Sequence, residues 1–233
     1  MHAMASLRDL LGCEPHEVPS RAPDGPLTAV KAERLTPPGL REVFQRPPQW
    51  QPELKRERRW GDAQTTRAAA VLVPIVMRAQ PTVLLTQRTA HLPTHAGQIA
   101  FPGGKIDPHD HDAAAAALRE AHEEVHLAPH WVEVLGAMPS YYTGSGFDIT
   151  PVVGLVNADA PWRPNPSEVE QVFEVPLHFL MDARHHRVHE AEMSGQTVRW
   201  WSMPYATAEQ SHYIWGATAA MLRNFYCLLR AAD

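Results

Sequence analysis

Cysteine is almost missing from this 233-residue chain. There are two, Cys13 and Cys227, near opposite ends. With no CxxC pair and no multi-cysteine framework, a disulfide scaffold is excluded and a reducing, cytoplasmic setting is expected. Long apolar runs are missing as well, and no stretch approaches the roughly 20 residues of a membrane span. The opening MHAMASLRDLLGCEPHEV carries acids and no long apolar segment, so no secretory leader is expected there. A basic excess is also lacking. Lys and Arg number 21 against 26 Asp and Glu, a net charge of −5, which argues against a nucleic-acid groove as the main surface. The 14 histidines lack the HExxH spacing of a zinc site, so surface and loop positions are expected for most. No internal repeat is visible. What remains is 44% hydrophobic and 20% charged, the composition of one substantial globular core with appendages.

Proline is plentiful, and it is unevenly placed. Pro15, Pro19, Pro23, Pro26, Pro37, Pro38, Pro47, Pro48 and Pro52 crowd the first quarter of the chain. Residues 1–67 therefore read as a proline-rich extension with two short amphipathic helices, at 4–11 and 39–44. The basic segment between Trp50 and Trp60 reads as a solvated linker, with a wrap around a partner subunit as the alternative.

From residue 68 the pattern changes. Two apolar, β-branched runs at 68–77 and 81–88 are joined through the four residues from Arg78 to Pro81, which predicts a hairpin. Further strands are predicted at 98–101, 131–138, 148–156 and 171–175, and a hairpin about Ser194-Gly195. A helix is predicted at 215–231, with Leu222, Phe225 and Leu229 on one side. Strands, one helix, more strands and a final helix indicate an α+β class.

The richest stretch is 97–127, GQIAFPGGKIDPHDHDAAAAALREAHEEVHL. An apolar run ends in Pro102-Gly103-Gly104. A polar loop follows, then strong helix formers from Ala113 to Val125 with Asp112 as the expected N-cap. On that helix Glu120, Glu123 and Glu124 lie three and four apart, on neighbouring parts of one surface, and Arg119 can pair with Glu123. Three carboxylates held together repel one another, and a hard divalent cation such as Mg²⁺ or Mn²⁺ turns that repulsion into binding. A charged outer helix face is the plainer alternative. Against it, the acids sit at the C-terminal end, where the helix dipole disfavours them.

This segment resembles a Nudix box. Gly104, Arg119-Glu120, Ala121, Glu123-Glu124 and Leu127 match its pattern. The loop is one residue longer, so His111 occupies the slot of the isolated acid, with Asp110 as its best substitute and Asp112 as another candidate, and His126 replaces the final glycine. His enters the left-handed region more readily than most non-glycine residues. Upstream, Leu84-Leu85-Thr86-Gln87-Arg88, Gly97 and Phe101-Pro102-Gly103-Gly104 resemble the signature of the coenzyme A pyrophosphatase branch, with Thr89 and Pro93 as departures. The resemblance spans about half the chain, near residues 68 to 182. It implies an α/β/α sandwich around a mixed sheet, with a Nudix domain at 68–233.

The resemblance also implies a chemistry. Glu120, Glu123, Glu124 and the carbonyl of Gly104 are the implied ligands of Mg²⁺ or Mn²⁺. Arg119 orients the glutamates. The base is Glu120 or an acid of a later loop, Glu168 ahead of Glu170. Arg88, His95, Gly103 and Gly104 frame the substrate, and the aromatic loop at 141–147 either stacks on a base or is a Gly-rich turn with buried rings. The implied reaction is metal-dependent hydrolysis of the diphosphate of coenzyme A or acyl-coenzyme A, giving 3′,5′-ADP and 4′-phosphopantetheine. Two alternatives stand beside it: another diphosphate substrate (ADP-ribose, a dinucleoside polyphosphate or an NTP), and a non-catalytic binding module. A homodimer is the default expectation.

Overall fold

Alternation in one strand organises the molecule. In the computed structural model, which describes residues 11–57, 66–91, 96–193 and 195–233, the run at Arg67–Val76 is a strand whose side chains face two different cores. Ala70, Leu72 and Val76 enter one core and Val71, Val73 and Ile75 the other, as a two-residue period dictates. Burial on both faces requires a helical layer on each side of the sheet.

The element order is β1 (Ser20–Arg21), α1 (Pro37–Gln45), β2 (Arg67–Val76), β3 (Thr82–Arg88), β4 (Ile99–Ala100), β5 (Gly103–Lys105) and α2 (Ala113–Val125). It continues with β6 (Val132–Ala137), β7 (Tyr141–Tyr142), β8 (Phe147–Val156), β9 (Val169–Pro176), α3 (Leu177–Leu180), β10 (Arg187–Met193), β11 (Gln196–Ala206), β12 (Ser211–Trp215) and α4 (Gly216–Ala231). The larger sheet runs β4-β3-β2-β8-β6, with β5 on β2, β7 on β8 and β9 on β3. Its β2–β8 pairing is parallel and its β2–β3 pairing antiparallel, so the sheet is mixed. Helix α2 packs Ala116, Ala117, Ala121 and Val125 on one face. Helix α4 packs Leu222, Phe225 and Leu229 on the other. This is the expected α+β class and the expected α/β/α sandwich. A second, antiparallel sheet, β1-β10-β11-β12, lies over α4 through Trp201, Met203 and Ile214.

The proline-rich segment departs from a detached, solvated extension. Leu40 and Val43 of α1 are fully buried in the α4-side core. Thr36 caps that helix by accepting from the Gly39 N–H, and Pro37-Pro38 begin it, where a missing N–H costs nothing. Further on, the Asn224 side chain accepts from the Leu54 N–H and donates to the Leu54 carbonyl. Arg223 binds Glu53 at 2.8 Å. The expected helix at 4–11 and Trp60 lie outside the described residues.

Candidate active site

Three local features bring the acids together. Helix α2 starts where Asp112 accepts from the Ala115 N–H at 2.7 Å. It stops at His126, the one non-glycine residue with positive φ (55°) among the described residues. The strain of that conformation for a side-chain-bearing residue is offset by His126 Nδ1, bonded to the Arg163 carbonyl at 3.1 Å. At this stop, Arg163 and Asn165 donate to the carbonyls of Val125 and Glu124, so the loop between β8 and β9, distant in sequence, caps the helix end. The capping loop in turn carries Glu168, whose carbonyl accepts from the Thr89 N–H at 3.0 Å.

The three glutamates of α2 have different surroundings. Glu124 is buried. One oxygen accepts from the Gly103 N–H at 3.1 Å and the other lies 3.4 Å from Arg88 Nη1. Burial outweighs both contacts and pushes its carboxyl up to about 7, with the charges of Glu120 and Glu168 adding to the shift. Glu120 is raised too, by burial first and then by Glu123 and Glu168, against the pull of Arg119. Glu123 turns outward, half-exposed, onto Arg119 at 3.1 Å. Glu120, Glu124 and Glu168 therefore form an electrostatically coupled set, while Glu170 is exposed.

Arg119 binds this arrangement together. Its guanidinium donates to both oxygens of Asp110, to Glu120, to Glu123 and to the Lys105 carbonyl. Its pKa is raised, first by Asp110. Asp110 thus fills the place of the isolated acid left open by the longer loop, and Asp112 is the helix cap. The Nε of Arg88 is buried without a hydrogen-bond partner.

The two glycines differ in what they permit. A Cβ on Gly104 would lie 2.5 Å from the Glu120 carboxylate. A Cβ on Gly103 would lie 2.5 Å from the Ala70 carbonyl oxygen. Gly103 therefore admits the neighbouring strand, and Gly104 leaves room for the acid. His95 lies outside the described residues. Sequence reasoning missed Asn165 and the part it plays in delivering Glu168; its signal was an Asn-Pro dipeptide in the loop between β8 and β9.

Among the described residues no three His, Cys, Asp or Glu side chains are drawn into a ready metal cluster. The donor set nonetheless fits a hard divalent cation. Glu120 and Glu124 are buried carboxylates with raised pKa, a carbonyl lies nearby at Gly104, and the ligands are oxygens.

The family described as NUDIX domain matches residues 66–210. A protein of Salmonella typhi, named uncharacterized Nudix hydrolase NudL, is 43% identical over 172 residues, covering 74% of this chain and 88% of that protein. The Salmonella newport NudL matches with the same figures. Among solved structures, a C. elegans Ap4A hydrolase covers 50% of this chain and 86% of its own, at 22% identity and TM-score 0.41. RenU, a Nudix hydrolase from M. smegmatis, covers 51% and 75%, at 24% identity and TM-score 0.43. The chain belongs to the NUDIX domain family. It is a Nudix hydrolase of a nucleoside diphosphate derivative, an enzyme that acts on phosphorus-containing acid anhydrides, and such enzymes generally use divalent metal ions.

Proposed function

We propose that the substrate is coenzyme A or an acyl-coenzyme A, cut at its diphosphate to 3′,5′-ADP and 4′-phosphopantetheine or its acyl form, with Mg²⁺ or Mn²⁺ as the metal. One observation carries this reading. Arg88 and Gly103, two residues of the upstream signature, meet on the two oxygens of a single carboxylate, Glu124. The signature and the acid cluster are thus one site. We include residues 68–233 as the catalytic unit with 1–67 as its appendage, a cytoplasmic setting, and a homodimer that size-exclusion chromatography would test.

The residues divide the work by position. Glu120, Glu124, the Gly104 carbonyl and Glu123 after a turn of its side chain would hold the metal, which supplies a water of lowered pKa and neutralises charge on the diphosphate. Arg119 fixes Glu120 and Glu123 from behind, an orienting task. Arg88 presents one guanidinium edge to Glu124 and is otherwise free to meet a phosphate oxygen. Glu168 is the proposed base, because its loop is pinned to Thr89 beside Arg88 and its charge is felt by Glu120 and Glu124.

Chromatography of products from coenzyme A, acetyl-coenzyme A, ADP-ribose, a dinucleoside polyphosphate and dGTP, with each metal, tests the reading. The highest kcat/KM on coenzyme A, with 3′,5′-ADP accumulating, supports it. Another substrate winning leaves the hydrolase intact and overturns the branch.

A further inference from the structure

On the α4 side of the larger sheet lies a cavity of about 240 Å³, walled by Leu54, Arg56, Tyr141, Arg199, Trp201 and Gly216 among others. Pockets for whole drug-sized ligands hold about 300–1,000 Å³, so this one suits a single planar fragment. Its wall is graded. Tyr141 and Trp201 are buried and belong to the α4-side core, while Arg56 and Arg199 are exposed. Arg199 and Trp201 are two apart on β11 and share a face. Arg199 pairs with Glu190 at 2.6 Å, and the pair is open enough for an anion to compete. Arg56 has no ion-pair partner among the described residues. The indole N–H of Trp201 is buried and meets no acceptor among the described residues, a desolvation that carries a cost. The one carboxylate in the wall, Glu57, is spent on the Gly144 N–H at 2.8 Å.

The cavity lies three strands from the turn that leads into the hydrolytic centre. Tyr141 pairs with Ile149, Ile149 with Ala69, and Ala69 with Lys105, the neighbour of Gly104. Three strand spacings amount to about 14 Å, within the reach of an extended nucleotide. Gly216 and Ala220 of α4 line the cavity, and Thr218 between them donates to the Ile99 carbonyl at 3.0 Å, on the strand that leads into the Gly103-Gly104 turn.

We propose that this cavity is the subsite for the nucleotide half of the substrate. Tyr141 and Trp201 enclose the base, and Arg56 and Arg199 meet a phosphate carried on the ribose, separate from the diphosphate that is cut. This deepens the coenzyme A reading and rests on it, since a 3′-phosphate on the ribose separates that substrate from ADP-ribose.

Calorimetric binding of adenosine 3′,5′-bisphosphate and of AMP to the full chain tests the subsite without turnover. The wild type is expected to prefer the bisphosphate at least about tenfold, the scale of one charge-assisted phosphate contact. Arg56→Gln with Arg199→Gln should bring the ratio to within about twofold. Arg56→Gln alone, which breaks no ion pair, should lower it at least about threefold. Arg21→Gln, which removes the other partner of Glu190 from outside the cavity, should leave it unchanged. A wild-type ratio near one, or a ratio that the Arg56 and Arg199 variants do not move, overturns the subsite. If that preference holds while coenzyme A is not cleaved, the subsite stands and the substrate reading fails. Cleavage with an unmoved ratio means the reverse.

Discussion

Asp110 and Arg119 form a two-pronged ion pair across the loop that precedes α2, with Oδ1 3.1 Å from Nε and Oδ2 2.9 Å from Nη2. The pair fixes the plane of the guanidinium, and the remaining donors are thereby aimed at Glu120, Glu123 and the Lys105 carbonyl. Lysine has the charge without the fork. Arg119→Lys should therefore lower turnover and apparent metal affinity about 10- to 100-fold, the range for residues that orient metal ligands. Asp110→Asn should show a smaller loss of the same kind. Titration of Mn²⁺ against kcat checks both, and a loss confined to melting temperature would contradict the orienting role.

The adjacent glycines should separate stability from activity. Gly103→Ala drives a methyl into the backbone of Ala70 and Val71, so the strand must shift, at a cost of about 1–3 kcal/mol. Gly104→Ala meets the Glu120 carboxylate first, and that side chain can swing away. That variant should keep close to the wild-type melting temperature and lose turnover at least about tenfold. Thermal melts beside kcat for both variants check the contrast.

Much of this was legible in the sequence for physical reasons. The α2 boundaries follow from an Asp cap and an Ala-rich run, and they appear at Ala113–Val125 as expected. The left-handed stop at His126 is where a glycine is usually found. Strands with unbroken β-branched runs were equally plain. Elements defined by their partners were not. Gly103–Lys105 and Ser211–Trp215 are strands through pairing with β2 and β11, and nothing local in two glycines signals a strand. The unequal roles of Glu120, Glu123 and Glu124 were also hidden. Helical spacing places all three together, but burial and Arg119 divide them. The helix expected at 39–44 appears at Pro37–Gln45, but the proline density around it hid that Leu40 and Val43 belong to the core.

Glu124 should make the metal-free protein sensitive to alkali. Its folded pKa, about 7, exceeds the value near 4.3 of an unfolded glutamate, so the folded state binds more protons between them. Its contribution is present in full below about pH 4 and is lost as pH rises through about 7. In chelator, the unfolding free energy of Glu124→Gln relative to wild type should therefore rise between pH 5 and pH 8, by an amount on the order of 3 kcal/mol. Adding Mn²⁺ should restore the wild type alone. A difference that is flat with pH would contradict the burial of an uncompensated carboxyl.

Leu40 tests whether the N-terminal segment is part of the fold. It is fully buried in the core shared with α4, so Leu40→Ala should cost about 2–5 kcal/mol. Urea unfolding measures this directly. A loss below about 0.5 kcal/mol, the scale of a surface change, would mean that the segment is not packed in solution.

The most direct test of the hydrolytic centre is steady-state turnover of Glu124→Gln with Mg²⁺ and with Mn²⁺, on whichever diphosphate the wild type cuts best. Gln keeps an acceptor for the Gly103 N–H and removes the charge. The expected result is a fall in kcat of at least about a hundredfold in a protein that melts no lower than wild type at pH 8. A variant that retains turnover within about threefold of wild type would show that the acid held between Gly103 and Arg88 does not carry the reaction.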